Sequence, residues 1–393
     1  MRRHVLVPLL LVAGACRSDL TVPSEDPVEA GVVGDGRLEV VLDTLRARRG
    51  LPSLAAILVH DGAVVEVGAV GIRAVGHGEE VTADDRWHLG SLTKAMTGTL
   101  AGVLVESGVI DWSTTVAEVF PDFVGVILPG YEDLRLEELL YHTAGLPMDA
   151  TAVPSWPDIV AGNGTIRELR RQWASELLQR DPEGARGEWE FTDAGYIVAG
   201  AILEEVTGEV WEDLLMREVF EPLGMSATGF GAPGTVGMVD QPWGHLATPS
   251  GLVALDPGEP LAGAPAALGP AETVHASLAA FAPYMIAHLA GARGQPGLVS
   301  AATFDKLHTP APNTSYAVGW GVVFRAWAGG AALTHNASDA RWHAAVWLAP
   351  QRDIGVLAVT NVAGEPAFVG VDDAVLAMVA RFDASPAAAA AVR

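Results

Sequence analysis

Cysteine is almost missing from this chain: Cys16 is its one example in 393 residues, so no disulfide can form within it. Lysine is nearly as scarce. Of 24 basic residues 22 are arginine, and the two lysines are Lys94 and Lys306. Guanidinium does not deprotonate in proteins whereas ammonium can, so a chain that uses arginine nearly everywhere has lysine where arginine could not serve. Positive charge as a whole is in the minority, with 24 basic against 48 acidic residues and a net charge of −24. That balance argues against nucleic acid or anionic lipid as a partner, because both need basic patches. No stretch is long and uncharged enough to span a bilayer. The eleven histidines show no spacing of two or four, no cysteine remains for a ligand set, and glycine-rich phosphate loops are absent, so no metal and no cofactor is expected.

What is present is a globular composition, 50% hydrophobic and 18% charged. Met1-Arg2-Arg3-His4 precedes an apolar run over residues 5–13 and then Gly14-Ala15-Cys16. A basic start, a short apolar core and small residues before a cut have the form of a secretory signal over residues 1–15. Residues 16–35 are polar and proline-bearing, the composition of a tether. The alanine-rich residues 384–393 read as a disordered tail.

Between these ends the patterning is regular. Residues 37–49 have helical spacing with Gly50 as a stop, and apolar runs at 54–60 and 64–72 flank Asp61-Gly62, a hairpin signal. Helices are expected at 134–141, 165–179, 194–206, 211–219 and 275–289, the last kinked at Pro283. A Pro- and Gly-rich connection over 229–270 reads as irregular. Strands follow at 317–327, 331–336, 342–348 and 354–360, then a helix at 366–382. Strands at both ends with helices between imply an α+β fold over residues 36–383. One antiparallel sheet would come from the N- and C-terminal segments (about 36–90 and 311–383), flanked by helices, with a mostly helical region (about 91–310) inserted.

The stretch His88-Leu89-Gly90-Ser91-Leu92-Thr93-Lys94-Ala95-Met96 opens a helix that runs to Ser107-Gly108. Ser91 and Lys94, three apart, share a face of that helix. A serine hydroxyl is a weak nucleophile until a base takes its proton, and an amine is such a base once burial or a helix N-terminus disfavours its charge. The same N-terminus points backbone N–H groups at a developing oxyanion.

Further motifs follow in order: Tyr141-His-Thr-Ala-Gly-Leu-Pro147, Gly187-Glu-Trp-Glu-Phe-Thr-Asp-Ala-Gly-Tyr196, Glu221-Pro-Leu-Gly-Met225 and Thr334-His-Asn-Ala-Ser-Asp339. With the Ser91 stretch they resemble the serine β-lactamase-related family, which holds class C β-lactamases, D-alanyl-D-alanine carboxypeptidases and related esterases. The resemblance implies that Ser91 is acylated, that Lys94 accepts its proton, and that the backbone N–H groups of Ser91 and Ser338 form an oxyanion hole. The family's Tyr-x-Asn motif falls on Phe191-Thr192-Asp193, and its Lys/His-x-Gly motif on His335-Asn336-Ala337.

Both motifs depart from the family pattern. Phe191 has no hydroxyl to relay a proton. Asp193 puts a carboxylate where the family has an amide; beside Lys94 it would favour the ammonium, or it is the N-cap of the next helix. Tyr196 reads as core. His335 could bind a substrate carboxylate or carbonyl, and Ala337 adds a methyl where the family has glycine. Two functions are therefore expected. One is an exported serine hydrolase of reduced rate, periplasmic or at the cell surface, free or held to a membrane by a lipid on Cys16, acting on an ester, peptide or β-lactam bond of a small-molecule or peptide substrate. The other is a non-catalytic protein on the same fold that binds cell-wall fragments or a protein partner.

Overall fold

The computed structural model describes residues 28–386 and 388; the signal-like segment, Cys16 and residues 17–27 lie outside them. The strands are β1 (Ser53–His60), β2 (Ala63–Gly71), β3 (Arg86–His88), β4 (Thr228–Phe230), β5 (His245–Thr248), β6 (Gly251–Ala254), β7 (Val274–Ser277), β8 (Gly321–Arg325), β9 (Gly330–Ser338), β10 (His343–Ala349) and β11 (Ile354–Thr360). Six of them form one sheet in the order β2-β1-β11-β10-β9-β8, every neighbouring pair antiparallel. The two ends of the chain meet in it, with Ala55 opposite Val359 and His60 opposite Ile354. This is the α+β architecture expected from the strand–helix–strand order.

The strands β10 and β11 are buried along their whole length, which is why they read as unbroken apolar runs. Alternate residues of β1 enter two cores. Leu54, Ala56 and Leu58 pack with Leu42 and Leu45 of the helix Leu38–Arg49 and with Val375 and Met378 of the helix Glu365–Asp383. Ala55, Ile57 and Val59 face the opposite core, with Phe281 and Met285 of the helix Leu278–Ala292 and Met96 and Leu100 of the helix Thr93–Glu106. The inserted region thus packs on one face of the sheet, the terminal helices on the other.

Four expectations are corrected. Residues 275–277, read as the start of a helix, belong to β7, because β3 and β4 pair with it on either side; the helix begins after Ser277, whose hydroxyl caps it by accepting from Ala280 N. The connection read as irregular contains the hairpin β5–β6. The end of the expected tether is fixed to the body: the buried guanidinium of Arg381 donates to the carbonyl of Val32 (2.8 Å), to Asp35 (2.7 Å) and to Glu66 on β2 (2.6 and 2.8 Å). A buried guanidinium needs that many acceptors. The tail is likewise ordered at its start, where buried Ser385 donates to Phe382 O (2.6 Å).

Candidate active site

Ser91 sits where β3 turns into the helix Thr93–Glu106. Gly90 makes the turn at φ +49, and its N–H donates to Nδ1 of buried His88 (3.2 Å). A Cβ there would lie 3.2 Å from the Ala337 Cβ and 3.8 Å from Ser338 N, so glycine suits both the left-handed backbone and the close approach of β9. A 3-10 turn, Gly90–Leu92, carries Ser91 into the helix. β7 pins it: Leu89 N donates to Val274 O (2.9 Å) and Val274 N to Thr93 Oγ1 (3.1 Å).

Lys94 is completely buried, and its ammonium donates to three acceptors: Ser91 Oγ at 2.9 Å, Asp193 Oδ1 at 2.5 Å and Ala271 O at 3.1 Å. An ammonium has three N–H groups, so every one is engaged. Of the two readings of Asp193, the contact with Lys94 is the one observed. The N-cap of the helix Asp193–Thr207 is Thr192, whose Oγ1 accepts from Ala194 N (3.2 Å). The Phe191 ring stands 4.9 Å from the Lys94 nitrogen, a cation–π contact in place of a phenol.

Residues 190–192 are strapped to His142, which takes a left-handed backbone at φ +59. Glu190 N donates to His142 O (2.9 Å), Thr192 N to His142 Nδ1 (3.4 Å), and Thr192 Oγ1 to Pro147 O (3.1 Å). The motifs around Tyr141 and Phe191 are therefore one unit. Tyr196 is buried with its hydroxyl on Leu140 O (2.7 Å), in the core as read.

The other wall is β9. Strand β8 pairs with it only from Gly330 to Thr334, so residues 335–338 have an open side next to the Gly90 turn. Buried His335 has Nδ1 2.9 Å from the Asn336 carbonyl, which makes Nδ1 the protonated nitrogen and leaves Nε2 to accept from Tyr316 OH (3.3 Å). Burial, and then the charge on Lys94, push His335 down to about 3. Its ring is neutral near pH 7 and is no counter-ion for a carboxylate, which narrows the role expected of it. His142 is pushed well down by burial first, then by Lys94 and His335.

The family profile described as Beta-lactamase matches residues 38–381. The chain belongs to the beta-lactamase family. Its fold is that of a family of serine hydrolases. Among curated relatives, penicillin-binding protein 4 of Amycolatopsis lactamdurans is 30% identical over 183 residues, 47% of this chain and 46% of that protein. A putative D-alanyl-D-alanine carboxypeptidase of Salmonella gallinarum is 25% identical over 194 residues, 46% of this chain and 44% of that one. The chain thus spans about half the length of the curated relatives it matches. Among solved structures, a penicillin-binding protein homologue from Pyrococcus abyssi superposes with a TM-score of 0.70 at 22% identity, covering 88% of this chain and 78% of that one. A D-amino acid amidase from Ochrobactrum anthropi gives 0.67 at 20% identity, covering 87% and 97%.

Within this family frame, three residues that sequence reasoning did not single out face the Ser91–Lys94 pair or its neighbours. His142 and Tyr316 complete an aromatic group with Phe191 and His335, ring centroids 4.7 to 6.5 Å apart. Glu272 follows the residue whose carbonyl holds Lys94. His142 could have been found inside a motif already quoted. Glu272 carried a weaker signal, one acid in the run Leu268-Gly-Pro-Ala-Glu-Thr-Val274.

Proposed function

We propose that the protein is an exported serine hydrolase that forms an acyl-enzyme at Ser91 on an ester, peptide or β-lactam bond. The observation that carries this reading is the 2.9 Å contact between Ser91 Oγ and Lys94 Nζ beside the open edge of β9. Proton transfer begins along the short bond from the Lys94 ammonium to Asp193. The carboxylate takes one proton, and the neutral amine then takes that of Ser91 Oγ as the oxygen attacks the carbonyl. The N–H groups of Ser91 and Ser338 receive the oxyanion. Lys94 returns its proton to the leaving group, since Phe191 offers no hydroxyl for that step. Water then releases the acyl group. One missing proton relay lowers the rate by about two to four powers of ten without abolishing it.

Intact-mass spectrometry after incubation with a fluorophosphonate, and separately with a penicillin, tests the nucleophile. The expected result is an adduct absent from Ser91→Ala; a penicillin adduct would narrow the substrate to the β-lactam type. No adduct on folded protein favours the second reading, a binding protein, which the locked ammonium and the hydroxyl-free ring over it support. Phe191→Tyr is expected to raise the acylation rate at least tenfold. An unchanged rate would remove the assigned role of position 191. Export is supported by the signal-like residues 1–15, and the mass of the mature N-terminus, free or lipidated at Cys16, tests it.

A further inference from the structure

Glu272 ends the four-residue helix Gly269–Glu272, which is bound to the nucleophile helix at several points. Thr97 Oγ1 donates to Pro270 O (2.7 Å), Lys94 Nζ to Ala271 O (3.1 Å), and Val274 N to Thr93 Oγ1 (3.1 Å). The backbone of Glu272 is therefore fixed one peptide from the carbonyl that holds Lys94. Its half-buried carboxyl feels two ion pairs. One is Lys94 with Asp193; the other is Asp339 with Arg341, directly after Ser338 on β9.

Each cation in that group already has its own carboxylate. Lys94 lies 2.5 Å from Asp193, and Arg341 donates to Asp339 at 3.0 and 3.2 Å and to Leu261 O at 2.8 Å. His88, 3.6 Å from Asp339, is lowered by burial. Glu272 is the carboxyl left over, and among the described residues no hydrogen bond or ion pair holds it. Of the other buried acids, Glu204 is met by Arg170 and Asp85 by Arg73, while Asp372, which among the described residues has no such cation either, lies on the helix Glu365–Asp383 on the opposite face of the sheet from Ser91. A carboxyl buried without a cation is costly, and a ligand that brings a cation relieves the cost. The same cleft is poor for an anion, because His335 is neutral and both cations are taken.

We propose that Glu272 is a cation-recognition subsite of the Ser91 cleft, so that the preferred acyl substrates carry an ammonium group near the scissile carbonyl and no carboxylate. This rests on the acyl-transfer reading of Ser91. Burial first, then the charges of Asp193 and Asp339, raise the carboxyl to about 8 against the opposing pull of Lys94 and Arg341. The preference for a cation therefore strengthens as pH rises from 6 to 9.

The test uses the full chain and three p-nitroanilides of similar size: β-alanine (cationic), butyrate (neutral) and succinate (anionic). The expected order of kcat/KM is cationic above neutral by about tenfold, and neutral above anionic, as for one charge-assisted contact. Glu272→Gln should bring the cationic-to-neutral ratio close to one. Equal kcat/KM for the cationic and neutral anilides overturns the proposal. A Glu272→Gln variant that slows all three in the same proportion also overturns it and points to a proton-transfer role.

If no anilide turns over and no Ser91 adduct forms, the hydrolase reading fails, and binding decides the subsite. Calorimetry on Ser91→Ala with β-alanine amide and butyramide should then show the amine bound about tenfold more tightly, and Ser91→Ala/Glu272→Gln should show no such difference. Equal affinities in Ser91→Ala overturn the proposal in that case too.

Discussion

Lys94 reaches Ser91, Asp193 and Ala271 at once, so a change at any of them alters what the amine can do. Asp193→Asn keeps an acceptor but removes the counter-charge of a buried ammonium, at a cost of about 3 kcal/mol. The expected outcome is a lower melting temperature, together with a changed rate of acylation at Ser91, since the group proposed to take the proton of Lys94 is gone. A folded variant inactive at every pH would instead make Asp193 an obligatory proton acceptor. Glu272→Gln should act in the opposite direction on stability. With its carboxyl at about 8 in the folded protein against the usual 4.5, the native state keeps a proton that the unfolded chain has released. Its contribution is fully present below about pH 4.5 and is lost as pH rises through about 8. The gain in melting temperature over the parent should therefore be larger at pH 8.5 than at pH 5, and equal gains would show a carboxyl that does not titrate there. Ser91 and Lys94 were legible in the sequence because their geometry is one helical turn. The neutrality of His335 and the isolation of Glu272 were not, because each depends on groups far away in the chain.

Elements bring those groups together. The Gly90 turn sets the distance between the nucleophile helix and β9, and Gly90→Ala would combine a left-handed alanine with a methyl 3.2 Å from the Ala337 Cβ. A cost of about 1–2 kcal/mol is expected from the backbone alone, read as a lower urea midpoint. The rate should fall further than stability explains, since the oxyanion N–H groups of Ser91 and Ser338 are assigned to the two sides of this contact. A variant with unchanged midpoint and rate would show that the turn tolerates a side chain. The hairpin β1–β2 was readable from Asp61-Gly62, a purely local signal. β7 was not: a four-residue strand becomes one only because Arg86–His88 and Thr228–Phe230 flank it, and its apolar continuity with the next helix resembled a helical start.

At the scale of the molecule, Arg381 joins both ends of the chain to the sheet through Val32, Asp35 and Glu66. Asp35 is held well below the usual carboxylate range, chiefly by its hydrogen bond to Arg381. Arg381→Met should lower stability by about 3 kcal/mol or more, because Glu66 is left partly buried without its cation. The folded fraction should keep its rate, since the clamp lies behind the sheet helices and touches none of the residues around Ser91. A urea midpoint equal to the parent's would show the clamp to be dispensable. The pairing of β1 with β11 also sets an order of events during synthesis. When Ser91 leaves the ribosome, β1 has β2 on one side and nothing on the other. The open edge of β9 that faces the nucleophile is made much later, and β11 later still. A growing chain therefore carries its serine and lysine through more than two hundred further residues with no β9 beside them, and the arrangement proposed for acylation at Ser91 is complete only once β11 has joined β1 to β10.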